Sequence, residues 1–185
     1  MKYIATAALM LNLGVASVYA EQNSVGMTGS GTAASSTINL QPDAPTSEYN
    51  LAGDGNLGPF TFRSVSTGTA SPVPSNTCVG PNLIYGLAVG GAGVFCFQDG
   101  SLLKVNLTGG DDCIDLMAQQ AKCTRIFQIT GGTGRFKDGS GTVTLIMTLL
   151  PVVADTASNP VFFAVTGDFT GTISGMQEES RAARR

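Results

Sequence analysis

The sequence predicts an all-β protein, a single closed antiparallel barrel of about eight strands, with a β-sandwich as the alternative and at most one short helix. Three features of the chain point to this architecture. Apolar and polar residues alternate with a period of two in one segment after another. Glycine clusters and an Asp99-Gly100 pair punctuate those segments. Helical spacing of apolar residues is confined to one stretch, Asp111 to Ala121, where Ile114, Met117 and Ala121 line up behind a capping aspartate. A loop pinned between Cys113 and Cys123 accounts for the same residues equally well.

The chain opens with Lys2, a largely apolar run from Ile4 to Val18, and Val18-Tyr19-Ala20, the pattern of a secretory signal peptide cleaved after Ala20. The run is short for a membrane span of about 20 residues. The expected organisation is a signal peptide over 1–20, a flexible segment over 21–47, a barrel domain over 48–175 and a disordered tail over 176–185. Residues 21–47 are rich in Gly, Ser, Thr and Ala, with Ser36 to Leu40 as a candidate first strand. The expected location is secreted or periplasmic, with no membrane span in the mature chain.

Within the barrel region, Phe60 and Phe62 share one face, while Arg63 lies on the other. Leu83, Tyr85, Leu87 and Val89 keep register, and Val94 to Gln98 leads through Asp99-Gly100 into Leu102 to Thr108, a hairpin pattern. Arg125 to Thr130 and Thr142 to Leu149 flank a glycine-rich stretch. In the last segment, Phe163, Val165, Phe169 and Ile173 face one way, and Thr166, Asp168 and Thr170 the other.

The stretch Gly131-Gly132-Thr133-Gly134-Arg135-Phe136-Lys137-Asp138-Gly139-Ser140-Gly141 holds five glycines in eleven residues. It is not a phosphate cradle. The last glycine of a dinucleotide fingerprint is missing, no Gly-Lys-Ser/Thr follows, and the next segment is a strand rather than a helix. The stretch reads as a tight excursion between two strands. It resembles the GGTGxFxxAxG segment of dirigent proteins and is similar to the matching segment of allene oxide cyclases, with Gly139 where those families usually have Ala. The resemblance implies an eight-stranded, cofactor-free barrel with a mostly apolar cavity. Those families steer phenoxy-radical coupling or cyclise a fatty-acid epoxide, using charged or polar residues inside the barrel. None of those residues matches this chain position by position.

Composition excludes much chemistry. Histidine is absent, so a Ser-His-Asp triad cannot form, and the commonest metal ligand is missing. The formal net charge is −3, with no basic patch, which argues against nucleic acid as a partner. Asp111, Asp112 and Asp115 lack the spacing of a calcium loop, and Cys78, Cys96, Cys113 and Cys123 contain no Cys-x-x-Cys pair, so neither a metal nor a cofactor is expected. In an oxidising compartment the four cysteines read as disulfides, with Cys78–Cys96 and Cys113–Cys123 the expected pairs. Asn106-Leu107-Thr108 is a glycosylation sequon.

Arg63, Lys104 and Asp168 fall on Thr-rich faces and are expected to point to solvent. Only Tyr85 and Arg125 bring polar atoms to the apolar side, so the candidate ligand-binding residues are these two with Leu145 and Phe169. The expected function is a secreted β-barrel binding or structural module for a small apolar ligand. The alternatives are a cofactor-free isomerase or cyclase on a lipid-like substrate, and an extracellular interaction protein whose barrel is filled.

Overall fold

The computed structural model describes residues 21–177. The expected signal peptide and residues 178–185 lie outside the described residues. Eight strands close into one antiparallel barrel, each paired with its neighbours in chain order: β1 (Gln22–Ser35), β2 (Thr46–Gly55), β3 (Phe60–Gly68), β4 (Leu83–Phe97), β5 (Leu102–Asp115), β6 (Gln120–Gly132), β7 (Ser140–Ala154) and β8 (Pro160–Ser174). The only helical element among the described residues is a 3-10 turn, Gly134–Phe136.

Four expectations are corrected. Gln22–Ser35, read as flexible, is a strand that pairs with both β2 and β8 and closes the barrel. Its inward residues Val25, Met27 and Ala33 are buried, and its many small residues suit close backbone approach rather than disorder. Ser36 to Leu40 is the loop after that strand. The helix expected over Asp111 to Ala121 is the tip of the β5–β6 hairpin, where the Asp115 carboxylate accepts the Met117 and Ala118 amides at 2.9 Å.

The cysteine pairing is the fourth. The disulfide joins Cys78 to Cys113, while Cys96 is exposed and free and Cys123 is buried and free. Strand register explains why. Cys113 pairs opposite Lys122, so Cys113 and Cys123 project from opposite faces of the sheet. Cys96 sits near the far end of β4 from Cys78, whose loop over 69–82 leads into the start of that strand.

The two ends of the barrel differ. One carries the short turns 56–59 and 98–101 and the glycine-rich connection 133–139. The other carries the longer loops 36–45 and 69–82 and the hairpin tips 116–119 and 155–159. The glycine-rich stretch closes the first end. Gly134 has φ +57°, and a Cβ there would collide with Ser101, whereas a Cβ on Gly132 would collide with the Leu102 carbonyl. That path turns Phe136 inward to full burial, with its ring centroid 4.8 Å from that of Phe97. Arg135 covers both rings, at 4.7 and 5.0 Å, and its Nε lies 3.1 Å from Asp99.

Behind this plug the interior is aromatic. Phe62 and Phe95 lie 4.4 Å apart, and Phe169 contacts both at 5.1 Å, with Phe60 and Phe127 against the same group. Tilted and edge-to-face pairs at these distances add to the burial of apolar area.

Candidate functional site

Leu145 on β7 and Phe169 on β8 pair in register inside the barrel, and both are buried within the aromatic core. They face other side chains. Arg125 is also inward, in the middle of β6, with 3% exposure. Its Nη1 lies 2.8 Å from Asp112 Oδ1, and its Nη2 donates to Asp112 Oδ2 and to the Tyr49 hydroxyl, each at 3.0 Å. Nη1 also donates to the carbonyls of Asp111 and Thr124. The Arg125 side chain thus crosses from β6 to β2 and forms, with Tyr49 and Asp112, a polar girdle beside the aromatic core.

The electrostatics follow from burial. Burial pushes the Tyr49 hydroxyl above its ordinary pKa, with Arg125 opposing. The Cys123 thiol is raised for the same first reason, with Asp112 adding to it. For Arg125 burial works against the charge, and Tyr49 and Asp112 together outweigh it, so the guanidinium stays charged.

Tyr85 lies on the outer face, opposite Cys113, and its hydroxyl donates to Asp111 at 3.1 Å. The reason is a phase change. The regular β4–β5 pairing is interrupted between Leu87 and Ala92, opposite a bulge between Leu107 and Gly109. Phe95 and Phe97 face inward, but beyond the interruption Ala88 does, which puts Tyr85 and Leu87 outside. The same shift on β5 turns Asp112 inward, beside Cys123 and Arg125. Alternation read without the bulge hides Asp112, and Tyr49 gives little signal because the residues around it, Ser47, Glu48 and Asn50, are polar. Asp111, Asp112 and Asp115 are thereby dispersed, the first on Tyr85, the second on Arg125 and the third on its own turn.

A second feature lies on the outside of the barrel. An open groove of about 900 Å³ runs across β1 to β6, lined by Thr32, Asn50, Arg63, Val94, Lys104, Asn106 and Thr130 among others. Thr32, Asn50, Arg63, Val94 and Lys104 stand opposite one another in register, a single row across five strands. Arg63 and Lys104 point to solvent as their alternation predicts, and so does Asp168, which accepts a hydrogen bond from Thr28 at 2.8 Å. The loop over 36–45 borders the groove through Ile38, and the Ser36 hydroxyl donates to Glu48 at its edge.

The class defined by this geometry is a closed eight-stranded antiparallel barrel with an aromatic interior. No family model matches the chain, and no curated protein matches it. Among solved structures it is similar to the pterocarpan synthase dirigent protein PsPTS1, with a TM-score of 0.42 and 11% identity over 85% of this chain and 97% of that one. The pterocarpan synthase dirigent protein GePTS1 gives a TM-score of 0.40 and 10% identity over 94% and 97%.

Proposed function

We propose that this chain is a secreted β-barrel binding or structural module that works through its outer surface, with the barrel as a filled scaffold. The packed interior carries the reading. Phe62, Phe95 and Phe169 meet across the lumen, Phe136 stops one end, and Arg125 spans the middle. A small apolar ligand against Leu145 and Phe169 would have to displace these rings, at a cost comparable to opening a core cavity. The disulfide between Cys78 and Cys113 supports an extracellular location.

One observation favours a different class. A charged pair inside a barrel is what a cofactor-free isomerase or cyclase on a lipid-like substrate would need for acid–base work. Here the Arg125 head group is tied to Asp112, Tyr49 and two carbonyls, and Asp112 accepts two contacts from it. The arrangement reads as a structural strut.

Titration with a fluorescent fatty-acid probe, followed by NMR, separates the readings. The outer-surface module gives no saturable binding in the lumen. Micromolar binding that shifts the Leu145 and Phe169 resonances would establish the apolar-ligand reading instead, and epoxide turnover by the parent protein would establish the cyclase.

A further inference from the structure

We propose that the outer groove is a binding site for an acidic oligosaccharide, its carboxylate seated over Val94 between Arg63 and Lys104. The proposal rests on the outer-surface reading above and names its site and ligand class.

Charge placement is the first argument. The described residues contain six Lys and Arg side chains. Arg125 and Arg135 are held in ion pairs with Asp112 and Asp99. Two of the other four, Arg63 and Lys104, stand on this row without an ion-pair partner among the described residues, in a chain whose formal net charge is −3. Val94 pairs with both, so they flank it on the same face. At about 4.8 Å per strand their backbones are about 10 Å apart. Two long, flexible side chains can close on one carboxylate between them, the guanidinium as a fork and the ammonium as a point charge.

The polar part of the lining favours a hydroxylated ligand, and the one carboxylate in it, Glu48, is tied to the Ser36 hydroxyl at the groove's edge. Asn50 continues the row beside Arg63, and Asn106 and Thr130 lie beyond Lys104. Amides and hydroxyls both donate and accept, as recognition of sugar hydroxyls requires. The row spans about 19 Å, four strand separations, which suits a short oligomer better than a single ring. An acidic peptide fits less well. Extended peptides gain affinity by pairing with a free sheet edge, and a closed barrel offers none. Nucleic acid lacks an exposed aromatic platform in the groove.

The test uses chain from a host that does not glycosylate, because a glycan on Asn106 would stand in the groove. A uronic-acid trimer is titrated by calorimetry at low salt, beside a neutral trimer of the same length and a glutamate tripeptide. Saturable binding of the uronate is expected, weakened at least about tenfold by Arg63→Ala with Lys104→Ala and by raising the salt past physiological strength, where screening shortens to about 8 Å or less. Lys122→Ala leaves it unchanged, and the neutral trimer and the peptide bind more weakly. Absent uronate binding, indifference to the double substitution, or tighter binding of the peptide would overturn the proposal. These failures are distinct from failure of the outer-surface reading, which the apolar-probe titration decides alone.

Discussion

Asp112 on β5 and Arg125 on β6 meet inside the barrel, with Arg125 Nη1 2.8 Å from Asp112 Oδ1 and the arginine at 3% exposure. The guanidinium has left water for a lumen filled mainly by phenylalanine and aliphatic side chains, while the Asp112 side chain keeps 22% of its surface exposed. Such a pair holds only while both partners and their hydrogen bonds are present. Asp112→Asn is therefore expected to cost about 3–5 kcal/mol, because a buried guanidinium loses its counter-charge. Replacing both residues with apolar ones of similar size should cost far less. Urea denaturation of the single and double variants gives the comparison, and a double variant as unstable as Asp112→Asn would contradict it.

The glycine-rich connection is expected to behave as a plug. Phe136→Ala removes a fully buried ring packed on Phe97 and should lower stability by about 3–5 kcal/mol. Gly132→Val and Gly134→Val should cost about 1–3 kcal/mol or more, since Leu102 and Ser101 leave no room for a side chain. Lys137→Ala, on the exposed side, should fall within about 0.5 kcal/mol. Thermal denaturation checks the order.

The cysteines divide three ways. Non-reducing peptide mapping should recover Cys78 linked to Cys113 across 35 positions of sequence. In the folded protein an alkylating reagent at mildly alkaline pH should label Cys96 alone. Cys123 is buried, and burial followed by the charge of Asp112 keeps its thiol protonated, so it should react only after unfolding. Labelling of Cys123 without unfolding would mean that the polar girdle opens to solvent.

Much of the barrel was legible in the alternation. Phe60, Phe62, Leu103, Val105, Val143, Leu145, Phe169 and Ile173 all face inward, because period two is imposed wherever one face of a strand is buried. Legibility failed where the period slips. The interruption at Gly90-Gly91 and the bulge at Leu107 to Gly109 invert the faces of β4 and β5, so Tyr85 went outside and Asp112 inside. Gln22–Ser35 was hidden for another reason. A strand of small residues carries little hydrophobic signal, and its order comes from hydrogen bonding to β2 and β8. Arg125 was visible as a candidate, but its partners Tyr49 and Asp112 come from strands that only the closed barrel brings together. The groove escaped notice because its residues adjoin across five strands, whereas in sequence Thr32 and Lys104 stand far apart.

The lumen is occupied by the protein's own side chains, with Phe62, Phe95 and Phe169 meeting across it. Native mass spectrometry of protein purified from its own source probes this occupancy, because a molecule enclosed by the closed barrel can leave only when the barrel opens. The expected spectrum shows the polypeptide with its disulfide, and collisional unfolding releases no apolar small molecule. An apolar molecule of constant mass, bound one to one and released only when the barrel unfolds, would contradict the filled-scaffold account.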